Sequence, residues 1–220
     1  MRTCLATTVS GGVYETLAQL NLPYMKRFAE KVGADLNVLY RKRTEDWRRS
    51  VMVKMELGHI VSSYDRTLVL DIDMVVSPDM PNVFDWDTPF LAPMYPAPDD
   101  NKWRQGLART SNAIGVPVPK LMLNSSFMLC TPEYSRIFDS SQVTEPMIED
   151  NILVEQDMFN INLNQSGLPF DNLYGRNGGE LCQVEDPYKP FHIFHAVRQR
   201  DWENKIGLCE RAIFNMRNSK

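Results

Sequence analysis

The sequence predicts an α/β fold in which a mixed, mainly parallel sheet is flanked by helices. Strand-like and helix-like segments alternate over residues 1–75, as they do in parallel α/β sheets. The composition, with 43% hydrophobic and 24% charged residues among 220, is that of a globular chain with room for one sizeable core. We therefore expect a single domain over residues 1–220.

Three apolar segments in residues 1–75 predict strands, and the two segments between them predict helices. The strands are expected at residues 3–9, 34–40 and 66–71. The first helix follows Gly11-Gly12, carries apolar residues at three- and four-residue steps, and is expected to end at Gly33. The second helix is expected over residues 50–64 with Ser50 as its N-cap. The third strand carries an apolar run, Leu68 to Leu70, between polar flanks, which indicates a central strand covered on both faces.

The second half of the chain has weaker periodicity, because residues 77–120 are rich in Pro and Asp. Strands are expected at residues 90–94, 121–130 and 191–197. Helices are expected around residues 101–110, from Pro132 to Phe138, over 150–164 and over 201–217. The last of these helices is expected to close the fold.

Net charge, cysteine content and the lack of long apolar runs argue against nucleic-acid-binding, secreted and membrane-spanning proteins. The net charge of −4 argues against nucleic-acid binding, which needs clustered Lys and Arg. The four cysteines form no CxxC pair, so we expect reduced thiols in a cytosolic compartment. The N-terminus is too short and too polar for a signal peptide, and no run of about 18 apolar residues predicts a membrane span. We expect a soluble, cytoplasmic protein.

A basic cluster, Arg41-Lys42-Arg43 followed by Arg48-Arg49, lies in a polar stretch after the second predicted strand. One interpretation is a solvated loop. The other is a patch for an anionic substrate or a membrane surface. The sequence leaves both open.

The triplet Asp71-Ile72-Asp73 lies where the third predicted strand ends. Such triplets also occur by chance, as Asp85-Trp86-Asp87 shows. In open α/β sheets, however, ligands bind at the carboxyl ends of strands, which is where the first triplet lies. Its two carboxylates repel each other unless a cation binds, and hard divalent cations share such sites with phosphate oxygens. The triplet therefore predicts a metal and a phosphate group together.

Four segments resemble those of a known family. Residues 64–73 (YDRTLVLDID) resemble the "yDRvlyLDaD" segment of metal-dependent glycosyltransferases of the GT-A fold, especially the retaining galactosyltransferase and glycogenin type. Residues 124–129 (NSSFML) are similar to the family's "NsGvml" strand, with Ser126 in place of the glycine. Residues 155–160 (EQDMFN) resemble "DQDxxN", with Glu for the first Asp. Residues 195–202 resemble "HFxGxxKPW", but lack its glycine and proline and carry arginine in place of the lysine.

The resemblance implies a Rossmann-like nucleotide-diphospho-sugar transferase fold. Residues 1–75 would be its nucleotide-binding half, and residues 76–220 its acceptor-side half and closing helix. It further implies transfer of a sugar from a nucleotide-diphosphate donor to a glycan, glycoprotein or other hydroxyl acceptor. A UDP-hexose such as UDP-glucose is the favoured donor, and retention the favoured outcome. Short enzymes of this kind also occur as domains of algal-virus glycosylation proteins.

By the same resemblance, three residues would form the metal site. Asp73 would coordinate Mn²⁺ or Mg²⁺, Asp71 would contact the metal or the donor ribose, and His195 would be a further ligand. Carboxylates and an imidazole suit Mn²⁺. His192 is the competing histidine, and strand alternation places it on the face opposite His195.

Donor-binding candidates lie at the predicted strand ends or carry positive charge. They are Thr7, Thr8, Tyr14, Lys54, Asp71, Arg198 and Arg200. Tyr14 either stacks on the base or packs within its helix. Arg198 and Arg200 either pair with the diphosphate oxygens or begin a solvated helix. Lys54 and Arg49 are both expected to reach the donor from the second helix, because the family carries a basic residue near this position.

Gln156 and Asp157 are the candidate catalytic residues, because they open a predicted helix that faces the same crevice. Gln156 would stabilise oxocarbenium-like charge, as the retaining relatives imply, and Asp157 would orient sugar or acceptor hydroxyls. An inverting enzyme would instead need a carboxylate general base, for which Asp157 or Glu155 would serve. An ordinary polar helix face is the non-functional interpretation.

Two other functions compete with sugar transfer. The residues Leu70 to Val75 also satisfy the DxDx[TV] pattern of haloacid-dehalogenase-type phosphatases, in which the first Asp is the nucleophile. That superfamily opens with this strand, whereas here a predicted βαβα segment precedes it. A non-catalytic nucleotide-sugar binder is the second alternative, and the presence of both carboxylates and the histidine argues against it.

Overall fold

The fold is seen in a computed structural model that describes residues 1–42, 47–96, 101–151, 153–176, 182–184, 192–196 and 202–218. Its strands are β1 (Thr3–Val9), β2 (Asp35–Tyr40), β3 (Arg66–Leu70), β4 (Met74–Val76), β5 (Phe90–Ala92), β6 (Met94–Tyr95), β7 (Met122–Leu123), β8 (Phe127–Cys130), β9 (Asp171–Asn172), β10 (Cys182–Val184) and β11 (Ile193–His195). Its α-helices are α1 (Val13–Val32), α2 (Trp47–Met52), α3 (Gly58–Val61), α4 (Lys102–Ile114), α5 (Glu145–Asp150), α6 (Val154–Ser166) and α7 (Trp202–Asn218). Short 3₁₀ turns occupy Val53–Leu57, Val83–Asp85, Pro132–Phe138 and Leu173–Arg176.

The central sheet has the strand order β2-β1-β3-β8-β5-β9. Three of its five pairings are parallel, and β8 is antiparallel to both of its neighbours. A second, three-stranded sheet has the order β10-β11-β4. Because β4 follows β3 after a short turn and pairs with β11, the end of β3 is brought next to the last strand. The mixed, mainly parallel sheet that the sequence predicts is confirmed.

Hydrophobic cores cover both faces of the central sheet. Successive side chains of β1 alternate between them, as a strand requires: Leu5 and Val9 face the core under α1 and α7, and Cys4 and Ala6 face the core under α6 and Pro132–Phe138. The first strands are apolar on both faces for this reason. Thr7 and Thr8, at the end of β1, consequently point to opposite faces.

The first helix and the early strands agree with the sequence pattern. The helix α1 ends at Gly33, whose φ of +71° is the left-handed conformation that glycine adopts without strain. The predicted helix over 50–64 is instead divided into α2, a 3₁₀ turn and α3. Ser50 lies inside α2, so its prediction as an N-cap is wrong. Tertiary contacts override the helical pattern here, since the 3₁₀ turn buries Lys54 against other elements.

Further differences occur where polar residues interrupt the predicted elements. The predicted strand over 121–130 is split into β7 and β8 by Asn124–Ser126, and the helix predicted from residue 150 begins at Val154. The strand β4 has no counterpart in the sequence prediction. The helices α4 and α7 lie where they are expected, apart from their exact ends.

Two further features bear on stability. Cys4, Cys130 and Cys209 are buried free thiols in β1, β8 and α7. At Gly58, the start of α3, an added Cβ would lie 2.9 Å from Phe138 Cβ, so the two segments pack in direct contact.

Among the described helices, none combines the length and the apolar character that a membrane span requires.

Candidate active site

Asp71, Asp73 and His195, the predicted metal ligands, converge at the end of β3. One potential ligand atom of each lies within 4.8 Å of those of the other two. The Met74 amide donates to the Asp71 carbonyl oxygen at 3.1 Å, forming the turn into β4. The strand β4 pairs with β11 and places Met74 opposite His195. His195 therefore lies next to the triplet that immediately precedes Met74.

The chemistry of this donor set fits a divalent cation. Asp73 Oδ1 is buried and makes no hydrogen bond among the described residues, and it lies 3.3 Å from His195 Nε2. Buried polar atoms normally have partners, and a cation bound by both atoms would supply one. The competing residue, His192, lies before β11, where its carbonyl oxygen accepts the Ser77 amide at 2.7 Å.

Two lysines lie against the carboxylates of the triplet. Lys205 Nζ lies 2.5 Å from Asp73 Oδ2, and Lys54 Nζ lies 2.6 Å from Asp71 Oδ1. Burial opposes the charged form of Asp73, but Lys205 and His195 outweigh it and lower the pKa of Asp73 below its ordinary range. Each carboxylate of the triplet is therefore balanced by a different ammonium group.

Lys54 also links the triplet to α6. Its ammonium lies 3.0 Å from Glu155 Oε1 and donates to Ser125 Oγ at 3.2 Å, while that hydroxyl donates to Glu155 Oε1 at 2.9 Å. Burial acts to lower the pKa of Lys54, but Asp71 and Glu155 raise it above its ordinary value. Burial and the charge of Asp71 raise the pKa of Glu155, because one ammonium serves two carboxylates.

Gln156 and Asp157, the predicted catalytic pair, have different surroundings. Gln156 Oε1 lies 3.4 Å from the Ser125 amide that donates to it, next to the Glu155 carboxylate. Asp157 is 1% exposed, and its Oδ2 accepts hydrogen bonds from Thr110 Oγ1 at 2.9 Å and from Asn151 Nδ2. Burial raises the pKa of Asp157 to about 7. The Asp157 carboxyl group is thus engaged with α4, whereas Glu155 shares a lysine with the triplet.

Three predicted donor residues lie where β1 leads into α1. Thr7 is fully buried and its Oγ1 has no hydrogen-bond partner in the described part of the chain. Thr8 and Tyr14 are half-buried. Burial, together with the negative charges of Asp73 and Asp71, raises the pKa of Tyr14. The Tyr14 hydroxyl therefore lies within electrostatic reach of the acidic triplet.

The basic cluster is only partly described, and its described members are engaged at the surface. Arg41 Nε lies 3.0 Å from Glu56 Oε2, and Arg49 Nη1 lies 2.9 Å from Glu145 Oε1. All four side chains are at least 44% exposed. The exposed ion pairs of Arg41 and Arg49 agree with a solvated surface, although Arg49 lies in α2 rather than in a loop. In the described part of the chain, Arg49 pairs with Glu145 and not with the triplet.

Lys205 is the site residue that the sequence analysis missed. It lies on α7, 132 residues after Asp73, and local patterns do not report such a distance. The available signal was its position three residues after Trp202, which carries part of the family resemblance. Arg198 and Arg200, the predicted diphosphate ligands, lie outside the described residues.

Solved glycosyltransferases share this fold over nearly the whole chain. A glycosyltransferase involved in the glycosylation of the major capsid of PBCV-1 aligns with a TM-score of 0.58 and 13% identity, over 96% of this chain and 99% of that one. The galactosyltransferase LgtC, in complex with donor and acceptor sugar analogs, aligns with a TM-score of 0.54 and 15% identity, over 96% and 95%. Mouse xyloside xylosyltransferase 1 aligns with a TM-score of 0.52 and 12% identity, over 90% and 98%.

At these identities the likeness establishes the fold. The chain has the GT-A glycosyltransferase fold that the sequence predicts, and its Asp71-Asp73 pair fits the DxD motif. No protein-family model matches the chain, and no protein of curated function matches its sequence. Activity has to be argued from the site itself.

Proposed function

We propose that the chain is a metal-dependent glycosyltransferase that moves a hexose from a UDP-sugar, with UDP-glucose favoured, to a hydroxyl group of a glycan or glycoprotein. The convergence of Asp71, Asp73 and His195 at the strand ends of a GT-A fold is the observation that supports this most directly. Two structural neighbours add support: one takes part in capsid glycosylation, and one binds donor and acceptor sugar analogs.

In this proposal the metal ligands and Lys205 form the end of the site that binds the diphosphate. Asp73 and His195 would hold Mn²⁺ or Mg²⁺, and Asp71 would bind the metal or the donor ribose. A bound divalent cation neutralises negative charge on the departing diphosphate. Lys205 adds a positive charge beside Asp73, and an ammonium group there can also pair with phosphate oxygens. Arg198 and Arg200 stay proposed diphosphate ligands.

The nucleoside end of the site is proposed to lie where β1 meets α1. Thr7 and Thr8 stay proposed contacts of the base and ribose, from opposite faces of the strand end, and Tyr14 would stack on the uracil ring. The unpartnered, buried Oγ1 of Thr7 supports a ligand contact, because a buried hydroxyl normally has a partner.

The sugar is proposed to lie near Lys54, Glu155 and Gln156. The Lys54–Glu155 ion pair is largely buried, so in this proposal it holds Asp71 and Ser125 in place beside the sugar. The Gln156 side-chain oxygen would stabilise oxocarbenium-like charge at the anomeric carbon. Asp157 takes a positioning role in this proposal, because its hydrogen bonds to Thr110 and Asn151 fix α6 against α4.

The proposed outcome is retention of configuration. A general base must reach the acceptor proton. Glu155 is 3% exposed and contacts Lys54 and Ser125, while Asp157 is 1% exposed and bound by two donors. Neither carboxylate is well placed as a base, so we propose that the leaving diphosphate takes the acceptor proton.

A thermal-shift screen of nucleotide-sugars with and without Mn²⁺ tests the proposal. A ligand that binds only the folded state stabilises it by about 2.7 kcal/mol at 100 times its Kd. For a domain of this size, that corresponds to a rise in melting temperature of roughly 5–11 °C. We expect UDP-glucose to give such a rise with Mn²⁺ and a much smaller one without it. Sugar release or transfer would then be measured under the same conditions.

Two matched variants assign the effect to the triplet. Asp73→Ala should abolish the Mn²⁺-dependent rise, whereas Asp87→Ala, in the exposed second triplet, should retain it. If no nucleotide-sugar stabilises the protein, the proposed function is wrong. Stabilisation without sugar release or transfer would support the non-catalytic binder, and phosphate release from a phosphomonoester without an acceptor would support the phosphatase.

A further inference from the structure

Asn21 is a buried polar residue in the middle of α1. It is 0% exposed and lies in a stripe whose other buried members are apolar, among them Leu17, Tyr24 and Met25. Asparagine is a weak helix former, and a buried amide is unfavourable unless it is hydrogen-bonded. A residue with these two disadvantages is expected to make a specific contact.

The contact is with the backbone of the acidic triplet. Asn21 Nδ2 donates to the carbonyl oxygen of Ile72, between the two aspartates, at 2.7 Å. The same nitrogen lies 3.7 Å from Cys209 Sγ, and this thiol lies 3.7 Å from the carbonyl oxygen of Asp73. The helices α1 and α7 thus both contact the backbone of the triplet, and α7 also carries Lys205, which pairs with the Asp73 carboxylate.

Two other backbone groups of the triplet pair with the backbone of other segments. The Asp71 amide donates to the Ser126 carbonyl oxygen at 2.9 Å, and the Ala196 amide donates to the Asp73 carbonyl oxygen at 3.3 Å. The Ile72 carbonyl oxygen therefore accepts its hydrogen bond from a side chain, that of Asn21, whereas the backbone groups of Asp71 and Asp73 pair with other backbone groups. The Asn21 amide is thus bonded to the peptide group that joins Ile72 to Asp73.

We propose that Asn21 is a positioning residue for the metal site, an inference that rests on the proposed function. Its Oδ1 has no partner in the described part of the chain, so the amide is not optimised for stability. A leucine of similar size would remove the unpaired Oδ1, but it would also leave the Ile72 carbonyl oxygen without its donor. What the leucine would lack is the hydrogen bond that fixes the Ile72 peptide. Groups that orient metal ligands without touching the metal typically contribute 10–100-fold to metal affinity.

The test is a Mn²⁺ titration of Asn21→Leu in the presence of UDP, in which the electron paramagnetic resonance signal reports free Mn²⁺. We expect the dissociation constant for Mn²⁺ to rise about 10–100-fold, and the melting temperature to fall by roughly 2–12 °C because the Ile72 carbonyl oxygen loses its donor. Lys31→Met is the matched control: Lys31 also extends from α1 to loop carbonyls, those of Pro78 at 2.8 Å and Met80 at 3.1 Å. Its Mn²⁺ affinity should be unchanged.

Each outcome decides between the claims. Unchanged Mn²⁺ affinity in a folded Asn21→Leu variant would overturn the positioning role while leaving the proposed function intact. If Asn21→Leu does not fold, Asn21→Ala makes the same test with a smaller side chain, and unchanged affinity there would overturn the role equally. If the wild-type protein binds no Mn²⁺ with UDP, both the proposed metal site and this inference are wrong.

Discussion

Replacing Lys54 with methionine removes the buried ammonium that lies between Asp71 and Glu155. The side chains of Lys54 and Glu155 are only 9% and 4% exposed, so water cannot replace the lost charge. Breaking a buried ion pair by removing one partner typically lowers the free energy of unfolding by about 3–5 kcal/mol. For a chain of this length, the melting temperature should fall by roughly 6–20 °C.

The stability loss should depend on pH, because the variant leaves Glu155 without its cation. Burial and Asp71 already raise the pKa of Glu155, and loss of Lys54 raises it further. A raised pKa in the folded state means that the folded state binds the proton more tightly. The associated stability is present below the unfolded-state pKa and is lost as the pH rises through the folded-state pKa. Lys54→Met should therefore be more destabilised at pH 8 than at pH 5.

Urea unfolding followed by tryptophan fluorescence measures the effect at both pH values. Arg41→Met is the control, since its ion pair with Glu56 has side chains 45% exposed and should contribute at most about 1 kcal/mol. The double variant Lys54→Met/Glu155→Gln removes the unpaired charge and should recover much of the lost stability. The reasoning is refuted if Lys54→Met loses no more stability than Arg41→Met, or if the double variant is no better than Lys54→Met.

Three further outcomes follow from the packing and charges described above. Asp157→Asn keeps an oxygen that can accept the two hydrogen bonds made to Oδ2, but it cannot titrate. Because the pKa of Asp157 is raised to about 7, the free energy of unfolding of the wild type should fall by on the order of 4 kcal/mol as pH rises from 4 to 8. Urea unfolding of the variant should show a smaller change over the same pH range. Gly58→Ala places a Cβ 2.9 Å from Phe138 Cβ and should lower the free energy of unfolding by about 1–3 kcal/mol. An unchanged free energy of unfolding would show that Phe138 moves away from the new methyl group without cost. Lys205→Met removes the ammonium beside Asp73, so calorimetry should show that Mn²⁺ binds more tightly without nucleotide and that UDP binds more weakly. Weaker binding of both Mn²⁺ and UDP would contradict the proposed role of Lys205 in binding the diphosphate.

Local patterns were enough to predict much of the fold. The periodicity of residues 1–75 predicts β1, α1, β2 and β3, and the apolar run before Asp71 predicts a buried strand ending at the triplet. His195 was placed with the triplet by resemblance, and the register of β11 against β4 accounts for that proximity. These features depend on the residue pattern within short segments or on the order of family-like motifs along the chain, and both can be read directly from a sequence.

Other features of the site depend on contacts between distant segments. Every residue from Val154 to Ile161 is buried, so polar and apolar side chains in this part of α6 do not separate into an exposed and a buried face, and its rotation could not be predicted. The orientation of Asp157 toward Thr110 rather than toward the triplet follows from that rotation. The contacts of Lys205 with Asp73 and of Asn21 with Ile72 join segments 132 and 51 residues apart. Neither contact has a local sequence signature.

The three buried thiols make it possible to follow local opening of the chain. Cys4, Cys130 and Cys209 are each 0% exposed, and burial raises the pKa of Cys4 to about 11 and that of Cys209 to about 12. An alkylating reagent needs both access and a thiolate, so it modifies these residues only while their segments are open. Because the thiols lie in β1, β8 and α7, their modification rates report separately on the central sheet and on the helix that contacts Asp73.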